Sequence, residues 1–127
     1  MLSKKFWKIV YITYPHILRV LEKLHFHHYR QKYHVGFVKK KDIHKIKKYL
    51  LKQGYEPAIL AWKDPGEMIS MRKIDKEVFS YHLRIFKDWE VRAHYEYASE
   101  AKPLYHITEK VFMPKERYYK KLLRRFL

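Results

Sequence analysis

The stretch YHLRIFKDWEVRAHYEY, residues 81–97, alternates apolar and polar side chains on both sides of a short polar break. Alternation with period two is the pattern of a half-buried strand, so the stretch reads as a β-hairpin. Its register decides which side chains share a face, because a slip of one residue turns every side chain over. A three-residue loop at Lys87-Asp88-Trp89 sets Phe79 against Tyr97, Tyr81 against Tyr95, Leu83 against Ala93 and Ile85 against Val91. All of these are apolar or aromatic. A two-residue loop would set Ile85 against Glu90 and Leu83 against Arg92, which is a worse pattern. The three-residue loop has one local misfit. Its last position favours glycine in left-handed geometry, and Trp89 stands there.

The other face of the hairpin pairs Ser80 with Glu96, His82 with His94, and Arg84 with Arg92. A further loop at 75–77 brings Met71 to Tyr81 and Ile69 to Leu83, and adds Arg72 beside Ser80 and Ser70 beside His82. His82, His94, Arg84 and Arg92 are therefore candidates for a catalytic or anion-binding site. Two imidazoles can exchange protons with the hydroxyl and leaving oxygen of a phosphodiester, and arginine can stabilise the extra charge on phosphorus. Arg84 and Arg92, directly opposed, repel each other. A phosphate, a sulfate or Glu96 is thus expected between them. The plainer expectation is a solvated or helix-covered polar face, since antiparallel sheets commonly have one.

Outward from the hairpin, strands are expected at 57–62, 67–74, 78–86 and 90–98, with KDPGE (63–67) as a turn. FWKIVYITY (6–14) is rich in β-branched and aromatic residues and reads as a strand, as does YHVGFV (33–38). Pro15 suits the first turn of a helix that carries Ile17, Leu18, Leu21 and Leu24 on one stripe. A second helix has Asp42 as its N-cap and Gly54 as its stop, with Ile43, Ile46 and Leu50 on its apolar side. A last helix starts at Pro114 and repeats apolar pairs at Tyr118/Tyr119, Leu122/Leu123 and Phe126/Leu127. The expected fold is one α+β domain, 1–127. Its antiparallel four- or five-stranded meander sheet packs against N-terminal helices and a C-terminal amphipathic helix.

Hydrophobic residues make up 47% of the 127 and aromatics 17%, enough to build a core. There is no cysteine, which excludes disulfides and thiolate metal sites. Asparagine is absent and glutamine occurs only at positions 31 and 53, a composition expected of a hyperthermophilic source. Lys8, Pro15, His16 and Arg19 interrupt the most apolar early stretch, so neither a membrane span nor a signal core is expected, and the protein reads as cytoplasmic.

The net charge of +16 is unevenly placed. Residues 1–54 hold 14 Lys/Arg and 2 acids, residues 55–110 hold 9 and 10, and residues 111–127 hold 6 and 1. A polyanion surface should therefore be built from the two ends, by Lys39, Lys40, Lys41, Lys45, Lys48, Lys52, Lys120, Lys121, Arg124 and Arg125. RNA, or less readily duplex DNA, is the expected partner, contacted mainly through phosphates. Contact through phosphates implies little sequence preference, and with helix-turn-helix, zinc-finger and RNP signatures missing the type of nucleic acid stays open. HFHH (25–28) has only Glu22 as a nearby acid, and no metal site or cofactor is expected.

Two likenesses complete the reading. Leu123, Phe126 and Leu127 follow the xxLxxFL spacing that resembles the sliding-clamp-binding peptide of replication proteins, with Lys120 where that motif has Gln. This implies a protein partner at the C-terminal helix, as in a virus- or plasmid-type inhibitor. The order strand–helix–helix–sheet–helix resembles the small basic ribonuclease toxins of the RelE type. That likeness is one of topology and composition, and it assigns no catalytic residue. Binding without catalysis is the leading expectation, with a ribonuclease at the 78–98 hairpin as the alternative.

Overall fold

A computed structural model describes residues 4–24, 30, 33–59, 61, 63–108 and 111–127. The HFHH segment lies outside the described residues. The chain runs α1 (Lys4–Lys23), β1 (His34–Phe37), a short 3-10 turn (Lys40–Asp42), α2 (Ile43–Lys52), β2 (Glu56–Pro57), β3 (Glu67–Asp75), β4 (Phe79–Phe86), β5 (Glu90–Tyr97), α3 (Pro103–Ile107), β6 (Phe112–Met113) and α4 (Glu116–Leu122). The sheet is six-stranded and antiparallel, in the order β1-β5-β4-β3-β2. β1 and β6 share the outer edge of β5, at Glu90–Arg92 and Tyr95–Glu96 respectively.

The β4–β5 hairpin has the expected register, with His82 opposite His94, Arg84 opposite Arg92 and Ile85 opposite Val91. Trp89 closes the loop at φ 71°. It packs against the core, so burial of the indole holds a backbone conformation that its side chain disfavours. The β3–β4 register differs by two residues from expectation. The loop is Lys76-Glu77-Val78, Ile69 faces Ile85, Met71 faces Leu83, and Arg72 faces His82. A hydrogen bond of 2.8 Å from the Tyr95 hydroxyl to Asp75 Oδ2 anchors the strand end. A shift of two keeps each side chain on its expected face.

The apolar face carries Met71, Leu83, Ile85, Val91 and Ala93. Ile46 and Leu50 of α2 and Tyr119 of α4, with Leu123 and Phe126 just beyond it, cover that face and complete the core. Gly54 ends α2 at φ +92°, as a C-terminal stop requires. Asp42 precedes α2 but makes no capping bond with its side chain. α4 begins at Glu116 rather than Pro114.

Four elements depart from expectation. Residues 6–14 are helical, within an α1 that continues through Pro15. Their β-branched residues suggest a strand, yet the half-buried positions Trp7, Val10, Tyr11 and Tyr14 recur at helical spacing. Pro15 removes one backbone hydrogen bond without ending the helix. Of the strand expected at 57–62, residues 60 and 62 lie outside the described residues, and among the rest pairing is confined to Glu56–Pro57, with Ala58 N–H adding a bond to Ser70 O. α3 and β6 were not expected. No helix among the described residues is long and apolar enough to cross a membrane.

Candidate functional site

The polar face of the sheet is buried. His82 is 4% exposed, His94 3%, Arg84 6% and Glu96 6%. Residues of α1, α3, β6 and the loop before β3 close over it. The Tyr11 hydroxyl donates to Glu100, and Phe112 stacks on the His94 ring at 4.1 Å. A buried polar face must satisfy itself from within, and this one divides into paired clusters.

Arg84 Nε lies 3.1 Å from Glu67 Oε2 and 3.4 Å from Asp64 Oδ2. A bulge in β3 makes this possible. Between Glu67 and Ile69 the register shifts, so Glu67 sits opposite Phe86 and faces the polar side. Burial pushes the Glu67 carboxyl up, against the pull of Arg84. Arg92 Nε lies 3.0 Å from Glu90, which also meets Arg30 at 2.9 Å and His34 Nδ1 at 2.6 Å. The expected external anion, or Glu96, between Arg84 and Arg92 is thus replaced by internal carboxylates, a separate set for each arginine. The signal was present in the sequence, since the middle segment has as many acids as bases to pair. Arg72 forms a bidentate pair with Glu100, at 2.6 and 2.5 Å, and also meets Glu56.

Glu96 lies among three imidazoles instead. His94 Nε2 is 3.0 Å from its carboxylate, His106 Nδ1 3.5 Å and His82 Nδ1 3.8 Å. His82 Nε2 bonds Ser70 Oγ at 2.7 Å, and His106 Nδ1 bonds Tyr97 O at 2.9 Å. Burial drives both His82 and His94 down, with the Arg84 charge adding to it, so both imidazoles are neutral near pH 7. Burial alone would raise Glu96, but its contacts with His82 and His94 hold it well below the usual carboxylate range. Beside this group, lined by His82, Glu96, His106, Ser80 and Arg72 among others, is a cavity of about 20 Å³. It has room for a water or an ion and not for a phosphodiester. His82 and His94 are thus brought together as expected, but buried beneath the elements that cover the face.

The opposite side of the molecule carries the basic stretches 39–52 and 115–125. Lys39, Lys40, Lys41, Lys45, Lys48, Lys52, Lys120, Lys121, Arg124 and Arg125 are all exposed. α2 and α4 lie side by side on the apolar face. The Tyr49 hydroxyl donates to Leu122 O at 2.7 Å, the Tyr49 and Phe126 rings are 5.5 Å apart, and the Arg125 guanidinium lies 5.1 Å over the Tyr49 ring. Lys47, Lys115 and Arg117 join the same set of exposed cations. The acids in these two stretches are Asp42 and Glu116, and Glu116 is 2.6 Å from Lys120.

Leu123 and Phe126 are buried in the core, and Leu127 is 44% exposed. Two of the three positions of the clamp-like spacing are therefore used internally. No family model, curated protein or solved structure matches this chain.

Proposed function

We propose that the protein binds the phosphate backbone of RNA, or less readily of duplex DNA, through the outer surface of α2 and α4, with little sequence preference. One observation carries this reading: Arg125 over Tyr49 joins the basic stretch 39–52 to the basic stretch 115–125, which the sequence holds far apart. A patch with thirteen Lys/Arg against two carboxylates attracts polyanions and gains by releasing their counterions. The internal pairing of Arg84, Arg92 and Arg72 supports the same division of labour. The buried arginines hold the fold, and the exposed cations face the partner.

Fluorescence anisotropy of labelled RNA and duplex DNA at several salt concentrations tests this. If six phosphates are neutralised, the log–log slope is about −5 on duplex DNA. Replacing Lys45, Lys48, Lys121 and Arg124 by glutamate should abolish binding at moderate salt while leaving the fold intact, since all four are exposed. A flat salt titration, or unchanged binding by the fourfold variant, would overturn the proposal.

A further inference from the structure

We propose that His82, His94 and Glu96 form a site for a divalent transition-metal ion of the zinc class, with His106 at its open side. Ligand atoms of the first three residues all lie within 4.8 Å of one another, and among the described residues no other three such side chains converge this closely. A tetrahedral ion with bonds of about 2.0–2.1 Å spaces its donors about 3.4 Å apart. His82 Nδ1 lies 3.8 Å from Glu96 Oε1 and His94 Nε2 lies 3.0 Å from Oε2, on either side of that value. His106 Nδ1, bonded to Tyr97 O, borders the site without donating to the ion.

The scaffold suits the role. His94 and Glu96 are two apart on β5 and so point to one side, and His82 comes from the directly opposed position on β4. Ligands on adjacent strands hold their spacing better than ligands on loops. His82 is oriented as metal-binding histidines usually are: Nε2 bonds Ser70 Oγ, and Nδ1 turns toward Glu96. The neighbouring carboxylates Glu67, Glu90 and Glu100 have arginine partners, whereas among the described residues Glu96 pairs with imidazoles. A divalent ion there would balance its buried charge. Two nitrogens with one carboxylate suit zinc, iron, nickel or copper, while calcium and magnesium call for oxygen ligands. The cavity of about 20 Å³ reaches His82, Glu96 and His106, and the His106 side chain is 24% exposed, which provides a way in. Such an ion would tie β4 to β5. A hydrogen bond between His94 and Glu96 explains their contact without a metal, but not the turning of His82 Nδ1 toward the same carboxylate.

The chelator-washed full chain should be titrated with Zn²⁺ by calorimetry, and with Co²⁺ followed by its visible absorption. One equivalent should bind, and the melting temperature should rise with added Zn²⁺. Glu96→Gln should weaken binding at least tenfold, and Ser70→Ala, which spares every ligand, should weaken it roughly ten- to a hundredfold. A chain with His25, His27 and His28 all changed to Gln should keep the site. Should Glu96→Gln fail to fold, anomalous diffraction at the zinc edge locates the ion in the unmodified chain. Absence of binding, binding lost with the HFHH triple change, or an anomalous peak away from His82, His94 and Glu96 would each refute the proposal.

Discussion

The Tyr119 hydroxyl donates to the backbone carbonyl of His94 from the side of the sheet opposite to that residue's imidazole. The same hydroxyl lies 3.3 Å from the carbonyl of His82. One side chain thus ties α4, which carries part of the basic surface, to the strand pair that carries the buried histidines. Tyr119 is fully buried, so its hydroxyl cannot exchange this bond for water. Tyr119→Phe should cost about 1–2 kcal/mol. Leu123→Ala, which opens a hole in the same core, should cost about 2–5 kcal/mol. Urea denaturation checks both. A neutral Tyr119→Phe would mean that the hydroxyl contributes nothing to holding α4 on the sheet.

Much of this arrangement was legible from alternation alone. The β4–β5 register follows from pairing Leu83 with Ala93 and Ile85 with Val91, because a three-residue loop puts these four side chains on one face and a two-residue loop does not. It held despite Trp89, whose burial against the core outweighs its left-handed backbone. The β3–β4 register was less determined, because a shift of two leaves the faces unchanged and the choice rests on one long-range contact, Tyr95 to Asp75. The helical state of 6–14 was misread because Ile9, Val10, Ile12 and Thr13 carry a strand signal, while Phe6, Ile9 and Ile12 lie exposed on the helix. Of the site residues, His82, His94 and Glu96 could be placed side by side from register. His106, Glu67 and Asp64 could not, since a short helix, a bulge and a turn bring them in, and alternation does not report those.

Arg84 pairs with both Glu67 and Asp64, which makes a buried triad. Removing one member of such a group leaves charge buried without compensation, which typically costs 3–5 kcal/mol, roughly as much as many core truncations. Arg84→Met should therefore destabilise by about that amount. Combining it with Asp64→Asn and Glu67→Gln should recover a large part, because the triple variant buries no net charge. Thermal or chemical denaturation of the set decides it. If the triple variant is less stable than Arg84→Met alone, the carboxylates serve the fold by some means other than pairing with Arg84.

Arg72 and Glu100 give the fold an acid-sensitive contact. Burial alone would raise the Glu100 carboxyl, but the hydrogen bonds and charge of Arg72, with the Ser99 hydroxyl, bring it down to about 2. The unfolded chain titrates near the ordinary 4.5. A carboxyl whose folded value is depressed contributes stability above the unfolded value and loses it as pH falls through the folded one. The contribution is therefore complete at pH 7, declines between about 4.5 and about 2, and is gone below that. The shift corresponds to on the order of 2–3 kcal/mol. Glu100→Gln keeps the shape and an acceptor but not the charge. Stability difference between the two chains, measured by urea denaturation from pH 7 down to pH 2, should be largest at neutrality and shrink toward zero through that window. Other carboxylates titrate in both chains and cancel in the difference. A difference that stays constant with pH would show that Arg72 gains nothing from the charge on Glu100, and that the contact is one of shape.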